Sequence, residues 1–200
     1  MQITSIILAA GYSTRMGTDK AMLKVNNSHL IDIIINKLLP FSNQIIIVTG
    51  KNHQNICDHV KNDPNLHIVH NPNPENGMFS SLKLAIKHIH TYFALIHLID
   101  HPFIKPETYR KLIDSLDNQH LVFKPVISGS GRSGHPVLIS KAVIKKVIQA
   151  PLNDNLRNIL HSLPQKTVKR ISIDDQHILD NINTKENLDK IRAQEVINAE

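Results

Sequence analysis

Short runs dense in Ile, Val and Leu alternate with segments whose apolar residues recur every three or four positions, and this alternation leaves few architectures open. Ile3 to Ala9, Gln44 to Thr49, Leu66 to Val69 and Phe93 to Ile99 read as buried parallel strands. Between them, His29 to Leu39, His53 to Lys61 and Phe79 to His90 carry helical periodicity. Strands that alternate with helices imply a three-layer α/β fold: a mostly parallel, Rossmann-like sheet with helices on both faces. Further on, a helix is expected from Pro106 to about Leu116, and strands at Leu121 to Ile127 and Val137 to Ile139. Helices follow at Ser140 to Gln149 and Asp154 to Leu163, then strands near Thr167 to Ile173 and His177 to Leu179, and a last helix from Thr184. Ser140, Asp154 and Thr184 suit the N-cap position.

A chain of 200 residues can bury one substantial core, and no linker-like stretch marks a second, so residues 1–200 read as a single domain. The net charge of +6 would suit nucleic acid, but the cations are scattered, aromatic residues make up only 4%, and no nucleic-acid motif is present. A phosphate-rich small substrate accounts for a basic cleft. The single cysteine, Cys57, precludes an internal disulfide, the amino-terminal apolar run lacks the flanks of a signal peptide, and no run approaches the roughly 18 apolar residues of a membrane span. The expected location is the cytoplasm, with neither membrane nor nucleic acid as a partner. Thirteen histidines invite a metal reading, but their spacing along the chain matches no zinc motif, and most are expected at the surface.

In open α/β sheets, ligands gather at the carboxyl ends of strands. The first strand runs directly into Ala9, Ala10 and Gly11, with Arg15, Gly17 and Lys20 beyond. Small residues let main-chain N–H groups approach phosphate oxygens, and the two cations supply charge. Two familiar phosphate loops fail by counting: five residues separate Gly11 from Gly17, with the lysine three later, and position 13 is serine rather than glycine. Two other loops also carry unusual residues. After the third strand, Asn71 to Leu82 contains two prolines, an Asn76-Gly77 turn, and Ser80 and Ser81 in the first turn of a helix. After the fourth, Asp100 follows an apolar strand, where it suits either capping or magnesium ligation.

The order Leu8-Ala9-Ala10-Gly11, Arg15-Met16-Gly17 and Asp19-Lys20 resembles the L-A-[AG]-G-x-[SG]-x-R-M-G-x-[DN]-K signature of the MobA-like NTP transferases, the nucleotidyltransferases of the molybdenum cofactor. The resemblance implies a fold of the nucleotide-diphospho-sugar transferase type and transfer of a nucleotidyl group with release of pyrophosphate. It places Leu8, Ala9, Ala10 and Gly11 around the nucleotide and Arg15 and Lys20 on the triphosphate. Asn71, Gly77 and Ser81 fall on the family's N-P-x-x-x-x-G-[ML]-x-x-S-[LV] segment, which lines the same site. Asp100 matches the metal-binding aspartate of G-D-x-P, with Ile99 in place of the glycine. Asn183 matches the second ligand to Mg²⁺ in the segment from Asp180 to Leu188, where Lys185 replaces a proline.

Gly134, His135 and Pro136 match the family's G-H-P; His135 either binds substrate or braces its loop, and Arg157 is a candidate for the acceptor phosphate. The resemblance as a whole implies the terminal phosphate of the phosphorylated pterin cofactor as acceptor, and Leu-Ala-Ala-Gly, where guanylyltransferases tend to carry Leu-Ala-Gly-Gly, points to CTP as donor. A guanylyltransferase using GTP, a nucleotidyltransferase for another phosphorylated metabolite, and a non-catalytic carrier are the alternatives. A molybdenum hydroxylase apo-enzyme is the expected downstream partner.

Overall fold

The computed structural model describes residues 2–11, 19–25, 27–60, 63–184 and 186–187. Its strands are β1 (Ile3–Leu8), β2 (Lys24–Val25), β3 (Ser28–His29), β4 (Gln44–Thr49), β5 (Leu66–His70), β6 (Phe93–Leu98), β7 (Val122–Ile127), β8 (Val137–Ser140) and β9 (Val168–Ile173). The helices are α1 (Leu30–Leu38), α2 (His53–His59), α3 (Met78–Ile86), α4 (Pro106–Asp114), α5 (Lys141–Gln149) and α6 (Leu156–His161). Seven strands form one sheet in the order β5-β4-β1-β6-β8-β7-β9, and β2 and β3 form a separate small hairpin. The pairings of β1 with β4 and β6, of β4 with β5 and of β7 with β9 are parallel. Only β8 runs antiparallel to its neighbours, β6 and β7.

The period-two geometry of a strand sends successive side chains to opposite faces, and here both faces are apolar. Ile7, Ile45, Ile47, Leu95 and Phe123 join Ile31, Ile34 and Leu38 of α1, Ile56 of α2 and Leu112 of α4 in one core. Ile6, Ile46, Val48, Ala94 and Ile96 join Phe79 and Leu82 of α3, Val143 and Val147 of α5 and Ile159 of α6 in the other. Continuous apolar runs in β1, β4 and β6 are the consequence of burial on both sides. A third, smaller cluster packs Val25 and Leu30 at the hairpin against Phe103 and Ile182.

From β1 the chain steps to β4 and β5 on one side, then returns to place β6 on the other. The reversal opens a crevice at the carboxyl ends of β1 and β6, as expected where strand order switches direction.

Local differences from the expected elements have local causes. His177 to Leu179 is not a strand: Gln176–Ile178 forms a 3₁₀ turn whose N-cap, Asp175, accepts from His177 N at 3.1 Å. The cap before α6 is Asn155 rather than Asp154, because Asn155 Oδ1 accepts from Asn158 N at 2.9 Å. Ser140 does occupy the N-cap of α5, but its buried hydroxyl has no hydrogen-bond partner among the described residues. Thr184 Oγ1 accepts from Asn187 N at 3.2 Å, as an N-cap does; the rest of the expected last helix lies outside the described residues. Among those residues, no helix is long and apolar enough to cross a membrane.

Candidate active site

The strand-order reversal sets the loop after β1 beside the loop after β6. Ile99 N donates to Leu8 O at 3.3 Å, and Ala9 N to Val48 O at 2.9 Å. A pocket of about 340 Å³ opens there, and Leu8, Ala10, Gly11, Lys20, Gly77, Ser81 and Asp100 all line it. Residues from four separate segments thus meet in one cavity. Ala9 is buried behind it, in the core under α1. Arg15 lies outside the described residues, as does Lys185.

Lys20 is the hub of the polar wall. Its Nζ donates to Asn183 Oδ1 at 2.7 Å and lies 3.9 Å from Asp100 Oδ2. The backbone enforces this grouping, since Ile182 N donates to Asp100 O at 2.8 Å and the fully buried Ile182 side chain anchors the segment in the third cluster. Asp100 Oδ1 is buried with no hydrogen-bond partner among the described residues. One amide oxygen and one carboxylate oxygen around the ammonium, with the second carboxylate oxygen 3.7 Å from His101 Nε2, form a donor set suited to a hard divalent cation such as Mg²⁺.

Asn71 does not face the pocket. Asn71 is buried at the start of the loop after β5, where its Nδ2 donates to Ser80 Oγ and Ser81 Oγ, both at 2.9 Å, while its Oδ1 accepts from Asn73 N. It fixes the first turn of α3, and Ser80 Oγ donates to Gly77 O at 2.8 Å. Gly77 caps that helix at φ +84°, a left-handed conformation that glycine tolerates best. The amino end of α3 is thereby presented to the cavity, a favourable place for anionic oxygens.

A second pocket, about 270 Å³, adjoins the first and shares Leu8, Gly77, Met78 and Leu98 with it. Its far wall is His135 and the stretch from Leu152 to Leu156. Gly134 lies behind His135, pressed so closely on the 3₁₀ turn that an added Cβ would sit 2.0 Å from Ile178 O. His135 N donates to that same carbonyl at 2.9 Å. Arg157 is exposed on α6, one residue beyond the pocket wall, and lines neither cavity.

Two of the thirteen histidines, His97 and His101, are buried. Burial lowers the pKa of His97 to about 3 and that of His135 to about 4, and it also lowers His101, against the opposing pull of Asp100. Neutral imidazoles therefore surround the acidic tip of β6 near pH 7. His97 Nε2 meets the Tyr109 hydroxyl at 2.8 Å, while the rings of His101 and His135 lie 5.3 Å apart between centroids, tilted by 50°.

Asn52 is the site residue that the sequence motifs did not single out. Its Nδ2 donates to Ala9 O at 3.1 Å and to Asp19 Oδ1 at 2.9 Å, and its Oδ1 accepts from Gly50 N at 2.9 Å. One side chain thus ties together the two described ends of the glycine loop. The signal in the sequence was Gly50 followed closely by an amide after β4, a common turn pairing that carries no functional mark.

A nucleotide-binding α/β enzyme is the class that this crevice defines. The model of the MobA-like NTP transferase domain matches residues 5–168, and the chain belongs to that family of nucleotidyltransferases. It is 35% identical over 158 residues to the molybdenum cofactor cytidylyltransferase of Escherichia coli (strain K12), a match covering 79% of this chain and 80% of the relative. A probable molybdenum cofactor guanylyltransferase of Natranaerobius thermophilus is 29% identical over 129 residues, covering 64% and 62%. The crystal structure of a homologue of Mycobacterium tuberculosis Rv0371c, from Mycobacterium sp. strain JC1, superposes with a TM-score of 0.82 over 100% of both chains at 23% identity. The fold is that of the nucleotide-diphospho-sugar transferases.

Proposed function

We propose that the chain, acting as one domain, transfers CMP from CTP to the terminal phosphate of the molybdenum cofactor and releases pyrophosphate. The observation that carries the reading is the convergence of the glycine loop, Lys20 and Asp100 on one pocket. In this reading the first pocket takes the nucleotide, with Gly11 and the amino end of α3 next to its oxygens. The second, walled by His135, takes the acceptor, with Arg157 at its rim.

The acceptor phosphate oxygen attacks the α-phosphorus of CTP in line, and the bond from that phosphorus to the bridging oxygen of pyrophosphate breaks. A phosphate monoester has a second pKa of about 6, so it arrives as a dianion and needs no base. His135, neutral near pH 7, is suited to hydrogen bonding and not to carrying charge. Lys20 and Arg15 offset charge on the triphosphate as the leaving group forms. Asp100 and Asn183 would hold Mg²⁺, whose chemistry is to draw charge from phosphate oxygens. The buried Asp100 oxygen that takes no hydrogen bond among the described residues and the approach of both residues to the Lys20 ammonium support that fit. Catalysis is then positioning plus electrostatics, with no covalent intermediate.

CTP is preferred over GTP in this reading because Ala10 lines the pocket, so its methyl group takes space that a glycine would leave for a larger base. The higher identity to a cytidylyltransferase points the same way. Competing CTP, GTP, ATP and UTP in a pyrophosphate-release assay with cofactor supplied tests it: CTP should dominate, and dominance of GTP would make the protein a guanylyltransferase. Lys20→Ala and Asp100→Ala should each lower turnover roughly 100-fold or more, and near-normal turnover in both would refute the roles assigned to them.

A further inference from the structure

We infer that His29, Asp32 and His59 form a second metal site, for a first-row divalent cation of the zinc type, apart from the nucleotide crevice. The three come from different elements: His29 ends β3, Asp32 lies in the first turn of α1, and His59 ends α2. Their potential ligand atoms all lie within 4.8 Å of one another. His59 Nε2 is 2.8 and 3.0 Å from the two oxygens of Asp32, and His29 Nδ1 is 3.4 Å from Asp32 Oδ2. Zinc bonded at about 2.0–2.1 Å in a tetrahedron separates neighbouring ligand atoms by about 3.3–3.4 Å, so small shifts would bring all three into its first shell. The two rings meet edge to face at 4.3 Å between centroids, turning a nitrogen each toward one carboxylate.

Two imidazoles and one carboxylate favour zinc, cobalt or nickel over magnesium or calcium, which take oxygen ligands. The side chains are 18%, 35% and 27% exposed for His29, Asp32 and His59, so water has access to a fourth position. None of the three lines either pocket at the crevice. Their position suggests a clip. Leu30 N donates to Leu23 O at 2.9 Å, so the hairpin runs from the turn that carries Lys20 straight into α1, and a bound cation would fasten that junction to the end of α2. The spacing along the chain concealed this cluster, because twenty-nine residues lie between His29 and His59 and only the fold brings them together.

Zinc titrated into the full chain, with magnesium in large excess to fill oxygen-rich sites, tests the inference. One equivalent should bind and raise the unfolding temperature, and cobalt in its place should give the visible bands of mixed nitrogen and oxygen ligation. His59→Gln keeps a hydrogen-bond donor for Asp32 but removes a ligand; with His29→Ala, it should weaken binding by about 100-fold or more, above the 10–100-fold typical of an outer-shell loss. Asp100→Ala should retain the zinc equivalent and the cobalt spectrum. Absence of stoichiometric zinc from the wild-type protein would overturn the site, as would unchanged affinity and spectrum in both histidine variants.

Discussion

Asn52 shows how much one amide can organise. It gives two hydrogen bonds to the described ends of the glycine loop and receives one from Gly50 N in the turn after β4. Asn52→Ala should cost about 1–3 kcal/mol, the usual range for stranding buried partners, and raise KM for the nucleotide. Asn52→Asp should be worse, since a carboxylate has no hydrogen to offer Ala9 O or Asp19; denaturant midpoints of the two variants decide this. Glycines divide just as sharply. A Cβ at Gly134 would strike Ile178 O at 2.0 Å, whereas one at Gly11 meets nothing within 4 Å among the described residues. Gly134→Ala should therefore destabilise the protein by roughly 3 kcal/mol. In the proposed reading, Gly11→Ala should fold normally and show its defect in nucleotide titrations, because the space beside it then belongs to the ligand. Gly11 and Gly134 were both legible in the sequence, but the close approach of Gly134 to Ile178 was decided across the fold.

Among the elements, the segment from Asp175 to Asn183 does the most to build the site. Buried Asp175 accepts from Lys105 N at 2.8 Å and Thr108 Oγ1 at 2.7 Å, binding the start of α4 to the turn after β9. Seven residues on, Ile182 locks into the third apolar cluster, which sets Asn183 against Lys20. Ile182→Ala should cost about 2–4 kcal/mol and lower turnover beyond what the stability loss explains, because the amide loses its anchor. Activity that stays normal at temperatures where the variant is fully folded would show that Asn183 needs no such support. This stretch was also where periodicity misled. The short apolar run near His177 resembles a strand, yet the hydrogen bond from His177 N to its own cap residue turns it into a 3₁₀ helix. Short apolar runs carry too few periods to separate the two.

At the scale of the whole molecule, the reversal of strand order at β1 and β6 creates the crevice, and the burial that builds it has a cost in acid. His97 and His135 have pKa values of about 3 and about 4 in the fold, against an ordinary 6.5. The unfolded chain therefore binds more protons below pH 6.5, so the stability due to these groups is complete above that pH. It is lost as pH falls, through about 4 for His135 and about 3 for His97. Near pH 5 the pair should contribute a slope on the order of 2 kcal/mol per pH unit. Urea midpoints measured from pH 7 to 4 should fall accordingly, and His135→Asn should flatten the curve.

Local order was written along the chain: apolar period marked β1, β4 and β6, and the glycine and cation spacing marked the loop after β1 as the candidate for phosphate, because both depend on near neighbours. Adjacency was not. That Asn52 braces the loop, that Asn183 reaches Lys20, and that His29 meets His59 all follow from strand order and from the packing of α1 and α2 over one face of the sheet. Such contacts join residues far apart in sequence, and it is burial of the two apolar faces of the sheet that selects them.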